Sequence, residues 1–107
     1  MYDYRQLLYA IGRFCMENDG FKALSDPTRR KILEILAHEG DMTAGDIASR
    51  FDMSAPSISH HLSILRNTGL IADTRQRQSI IYSFNADAFR QVAGWFLDIL
   101  GQAPGND

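Results

Sequence analysis

Between Gly69 and Asn85 the hydrophobic period of the chain changes from helical to alternating. Residues 70–74 and 79–84 are β-branched and aromatic, and Ile80, Tyr82 and Phe84 recur at every second position. Arg75-Gln76-Arg77-Gln78 lies between them, so the segment predicts one hairpin with a long polar tip. Apolar residues elsewhere follow helical spacing. The expected fold is mainly α with a small β-hairpin wing, in one domain of 107 residues without repeat or linker.

Tyr4, Leu7, Leu8, Ile11, Phe14 and Cys15 predict an amphipathic helix over about residues 3–17, ended by Asn18-Asp19-Gly20. A short helical turn over 21–24 follows. In Ser25-Asp26-Pro27, Asp26 can cap free backbone N–H groups and Pro27 suits the first helical position, which needs no N–H. Ile32, Leu33, Ile35 and Leu36 form that helix's buried face, and Gly40 stops it. Thr43 opens the next helix, with Asp46 three residues on and Ile47, Ala48 and Phe51 inside. Ser54 opens another, with Ile58, Leu62 and Leu65 buried and Gly69 at its end. Asn85 caps a last helix over about 86–100, Gly101 ends it, and 102–107 is a frayed tail.

Composition narrows the function. A single cysteine, Cys15, excludes an internal disulfide framework and a CxxC pair. No apolar run approaches about 18 residues, so no membrane span is expected. Residues 1–11 lack the pattern of a signal peptide, which implies a soluble cytoplasmic protein. No nucleophile, base and orienting group are suggested by spacing, and there is no Gly-rich phosphate loop. An enzyme is not expected.

The segment over residues 43–67 reads as a helix-turn-helix, its helices joined by Asp52-Met53-Ser54. Such a turn sets one helix on the core and projects the other toward the major groove. The projecting helix carries Pro56, Ser57, Ser59, His60, Ser63 and Asn67 outside, and no carboxylate from Ser54 to Asn67. A solvated face would ordinarily carry Glu, Lys and Arg. Short neutral hydrogen-bonding groups suit a groove lined by phosphates, and the helix start offers N–H groups to one, beside the Ser54 hydroxyl. In the wing over 70–84, Arg75 and Arg77 can press on the backbone or enter the minor groove. The net charge of −2 gives no global sign of nucleic-acid binding. Locally, Thr43 to Asn85 holds four Arg (50, 66, 75, 77) against three Asp (46, 52, 73).

The last helix is apolar on more than one side, with Phe89, Val92, Ala93, Phe96, Ile99 and Leu100 in one stripe and Trp95 and Leu97 outside it. That pattern predicts a two-fold interface, with the first helix packed alongside. The candidate interface residues are Leu7, Leu8, Ile11, Phe89, Val92, Trp95, Phe96 and Ile99. A homodimer would set its recognition helices about 34 Å apart, one turn of DNA.

Phe21-Lys-Ala-Leu-Ser-Asp-Pro-Thr-Arg-Arg-Lys-Ile-Leu33 resembles the opening signature of the ArsR/SmtB family of bacterial winged-helix repressors. Ser57-Ile-Ser-His-His-Leu-Ser-Ile-Leu65 resembles that family's recognition helix, and Ile81-Tyr82-Ser83-Phe84 its second wing strand. Asp41-Met-Thr-Ala-Gly-Asp-Ile-Ala48 looks more like the metal-independent autorepressor subgroup related to the sporulation-delay regulator than like the metal sensors. The resemblance covers about residues 21–100. It implies a homodimeric repressor on an inverted-repeat operator, in its own or a neighbouring promoter. It carries DNA contact to Ser54, Ser57, Ser59 and His60, and phosphate or minor-groove contact to Arg75 and Arg77. Two departures stand out: the wing tip has no Gly, and residues 1–20 precede the signature.

Many family members bind metal through Cys on the helix before the recognition helix, yet residues 42–51 hold neither Cys nor His. Others use Asp and His on the last helix. Asp87 and Asp98 stand there without a His, and their separation is about three turns, roughly 16 Å. His60 and His61 point about 100° apart, a poor ligand pair. The expectation is no metal and no cofactor. His60 reads as a base or phosphate contact, His61 as a partly buried packing or backbone contact, and His38 as a surface group near a helix C-terminus. Cys15 reads as a small core residue. Two rivals remain: a regulator switched by ligand or thiol through the dimer helices and Cys15, and a protein-interaction module that has lost DNA binding.

Overall fold

The structure, a computed structural model, describes residues 18–104. The expected first helix, with Leu7, Leu8, Ile11 and Cys15, lies outside the described residues, as do 105–107. The elements in chain order are α1 (Asn18–Leu24), α2 (Pro27–Glu39), β1 (Met42–Thr43), α3 (Ala44–Ala48), α4 (Ala55–Asn67), β2 (Ile71–Gln76), β3 (Ser79–Phe84) and α5 (Ala86–Gln102). The three strands form one antiparallel sheet in the order β1-β3-β2.

The helix starts follow local hydrogen bonding. Asp26 accepts from Arg29 N at 3.0 Å, Thr43 from Asp46 N at 3.1 Å, Ser54 from Ser57 N at 3.2 Å and Asn85 from Ala88 N at 3.2 Å. Each cap satisfies one N–H that has no partner within its helix. Gly40 ends α2 at φ 94°. Gly69 follows α4 at φ 82°, with Gly69 N bonded to Arg66 O and Leu70 N to Leu65 O. These two bonds make a Schellman turn, whose left-handed position suits glycine.

The core draws on every layer. Ile32 and Leu36 of α2, Ile47 of α3, Ile58, Leu62 and Leu65 of α4, and Leu70 and Ile71 at the wing root are almost fully buried. Each such side chain stabilises the fold by about 1.5–3 kcal/mol. Phe84 packs on Phe89 at 4.6 Å between ring centroids, and Phe21 meets Trp95 at 5.6 Å.

Several boundaries differ from expectation. Asn18, Asp19 and Gly20, expected to stop a helix, are helical in α1. Gly101 lies inside α5. The connection from α3 to α4 spans residues 49–54 rather than three residues. Arg50 N and Phe51 N bond back only three residues, to Ile47 O and Ala48 O, so the coil tightens and ends early. The polar tip also shrinks. Arg75 and Gln76 belong to β2, Gln76 pairs with Ser79, and the turn is Arg77-Gln78 alone. Arg77 takes φ 58°, which allows so short a turn without glycine.

Candidate nucleic-acid interface

Helix α4 is fixed on its inner side by Ile58, Leu62 and Leu65, and it packs against α1, α2, α3 and β2. His60 lies roughly 200° around the helix from Ile58, and Pro56, Ser63 and Asn67 share that outer side. All four are exposed, and Ser57 and Ser59 are exposed on the two flanks. The outward face is therefore neutral, polar and free of carboxylates, while its position is held by the core.

Ser54 and Ser57 have distinct roles. The Ser54 Oγ accepts from Ser57 N and donates to Ser57 Oγ at 2.9 Å. Ser57 Oγ thus has its own proton left to donate outward. Ser54 is first a cap, and its exposed position brings it to the same end of α4.

Charge pairing separates the arginines. Arg50 is bonded bidentately by Glu39, whose carboxyl is held below its usual range by that hydrogen bond. The same bond raises the Arg50 guanidinium. Arg66 of α4 faces Asp73 of β2, Nη1 to Oδ2 at 3.6 Å, tying the wing to the recognition helix. Arg75 and Arg77 are exposed and form no ion pair among the described residues. The ladder pairs Asp73 with Tyr82 and Arg75 with Ile80, so Arg75 shares the sheet face of Asp73, which faces α4. The structure therefore gathers Ser54, Ser57, Ser59 and His60 on α4, and sets Arg75 on the adjoining wing face with Arg77 at its tip.

His61 is half-buried, its side chain 14% exposed, and faces α2 rather than solvent. Arg29, which belongs to none of the motifs predicted from the sequence to touch DNA, meets it. A signal was present: Arg29 and Arg30 put two cations in the first turn of α2, where the helix dipole disfavours them. Arg29 Nε donates to Ala23 O at 2.9 Å, and Arg30 Nη1 to Leu24 O at 2.8 Å, so both cap the end of α1.

The expected dimer residues divide. Val92 is 5% exposed and belongs to the chain's own core. Phe89 packs on Phe84, and Trp95 is half-buried against Phe21. Phe96 is 50% and Ile99 45% exposed, beside Leu97 and Leu100, which are also exposed.

Among the described residues no three His, Cys, Asp or Glu side chains gather as a metal site, and no helix is long and apolar enough to cross a membrane.

A helix-turn-helix with a hairpin wing and this exposed helix face define a winged helix-turn-helix regulator of transcription, not an enzyme. The family described as "Bacterial regulatory protein, arsR family" matches residues 26–73. The transcriptional repressor SdpR of Bacillus subtilis (strain 168) is 52% identical over 85 residues, 79% of this chain and 93% of that protein. The arsenical resistance operon repressor of Escherichia coli (strain K12) is 32% identical over 83 residues, 78% of this chain and 68% of that one. The crystal structure of an ArsR family transcriptional regulator superposes with a TM-score of 0.70 at 33% identity, covering 76% of this chain and 88% of that one. The chain belongs to the ArsR family, as a DNA-binding transcriptional repressor.

Proposed function

We propose that the repressor works as a cytoplasmic homodimer on an inverted-repeat operator and needs no metal. In this reading residues 43–67 read DNA, 70–84 form the wing, and 1–20 with 86–100 join the two chains. The observation that carries it is the exposed, carboxylate-free face of α4 beside two unpaired wing arginines. Ser57 and His60 read base edges. Ser54, Ser59, Arg75 and Arg77 hold phosphate, and occlusion of the promoter follows. The exposed Phe96, Leu97, Ile99 and Leu100 support an intersubunit role for the far half of α5. The absence of Cys and His from residues 42–51 supports metal independence.

Selection from a random duplex library at about 100 mM salt tests the proposal. An enriched inverted repeat, bound by two chains and insensitive to chelator, is the expected result. Arg75→Ala with Arg77→Ala should weaken all duplexes similarly and reduce the salt slope by about two per protomer, nearly four for the dimer, whereas His60→Ala should lose sequence discrimination. No enrichment from a folded dimer would sink the operator reading. An intact specific-to-random ratio in His60→Ala would remove its base-reading role.

A further inference from the structure

We infer that Arg29, acting through His61, is a positioning residue for the recognition helix. The inference rests on the DNA-reading role proposed above for His60, the neighbour of His61. The Arg29 guanidinium joins three elements. Nε donates to Ala23 O at 2.9 Å and Nη2 to Lys22 O at 3.3 Å, both at the end of α1. Nη1 lies 3.2 Å from Nδ1 of His61, in the middle of α4. The Arg29 backbone N–H is meanwhile held by the Asp26 cap at the start of α2.

A guanidinium has only donors, so His61 Nδ1 must carry the lone pair and the ring proton sits on Nε2. Asp26 Oδ2 is 3.9 Å from the same Nδ1, beyond hydrogen-bond reach. The groups facing His61 are Asp26, the cap of α2, and Arg29 in its first turn. Lys22 lies beyond them on α1, and His60 sits on α4 with its ring centroid 6.2 Å away. Without the acceptor at position 61, Arg29 stays bound to α1 but no longer ties α4 to it, and α4 rests on its packed inner side alone. Base readout requires side chains held within about 0.5 Å. Phosphate attraction does not. The specific complex is therefore the one that weakens.

The test uses the 107-residue chain as wild type, His61→Gln and His61→Leu, each with the selected operator and a scrambled duplex under one set of conditions. Gln keeps an acceptor for Arg29. Leu removes the acceptor but leaves Arg29 on the α1 carbonyls. His61→Gln should keep the wild-type specific-to-random ratio, and His61→Leu should lose about tenfold in it with scrambled binding unchanged. An unchanged ratio in His61→Leu, or an equal loss in His61→Gln, would overturn the inference. Nitrogen NMR of the His61 ring decides the tie without DNA. In wild type the Nδ1 resonance should carry the upfield displacement of a lone pair that accepts a hydrogen bond, and Arg29→Met should move it toward that of an unbonded imine nitrogen. The same Nδ1 resonance in both would overturn the Arg29–His61 tie. Failure to select any duplex would instead sink the operator reading and leave the ring measurement to judge this one.

Discussion

Asn85 Nδ2 donates to the carbonyl oxygen of Gly69 at 2.8 Å, joining the residue after the wing to the residue before it. The Asn85 backbone N–H also bonds Leu70 O, and its Oδ1 caps α5. One side chain therefore closes the root of the hairpin and starts the helix that follows. Asn85→Ala should cost about 2 kcal/mol, the sum of a cap and a hydrogen bond. Asn85→Asp keeps the cap and loses the donor, so it should fall between the two. Urea denaturation of the three chains checks the order, and equal stability of Asp and Ala variants would deny the cap its share.

Arg77 holds φ 58° at the wing tip, a left-handed conformation that costs a side-chain-bearing residue about 1–2 kcal/mol. Arg77→Gly should relieve that strain and raise stability by up to about 1 kcal/mol after the loss in backbone entropy. The same change removes a cation from the proposed DNA face, so affinity for every duplex should drop. Thermal melting and DNA titration of one variant should thus move in opposite directions. A variant less stable than wild type would show that the Arg77 side chain itself stabilises the turn.

Asp26 links pH to the N-terminus of α2. The Arg29 backbone N–H holds its carboxyl below the ordinary value, with the Arg29 and His61 charges adding to it and burial opposing. A folded-state pKa below the unfolded one means stability that is present above the unfolded value and lost as pH falls through the folded value. Asp26→Asn retains a capping oxygen but no titratable charge. Its stability should be lower near neutrality and should decline less on acidification below about pH 4. Parallel acid-denaturation curves for the two chains would contradict this assignment.

Phe96 and Ile99 are exposed on α5, whereas Val92, four residues before Phe96, is buried in the chain's own core. Substitutions at the two groups should therefore have separable effects. Phe96→Asp with Ile99→Asp should dissociate the proposed dimer and leave the melting of each chain cooperative. Val92→Ala should instead lower stability by about 0.5–2 kcal/mol through lost burial. Sedimentation equilibrium and thermal melts distinguish the two, and a dimer that survives both aspartates would move the interface elsewhere.

The features legible in the sequence depend on groups only a few residues apart. Asp26, Thr43, Ser54 and Asn85 each bond an N–H three positions on, and Gly40 and Gly69 each take a positive φ at a helix end. The inner face of α4 follows from helical period alone, and that in turn left Ser57, Ser59 and His60 outside. Tertiary structure decided what depends on groups far apart in the chain. Met42 and Thr43 become a strand only because Tyr82 and Ile81 pair with them, and two residues carry no period of their own. The wing tip tightened because the ladder continues through Arg75 to Gln76, which pairs with Ser79, whereas the polarity of Arg75 and Gln76 resembles a loop. Arg29, a cation in the first turn of a helix, acquires its role only when α1 supplies its carbonyl oxygens and α4 supplies His61. Caps and periods are written locally because their partners lie within one helical turn, whereas the partners of Arg29, Met42 and Val92 are brought near only when the core closes.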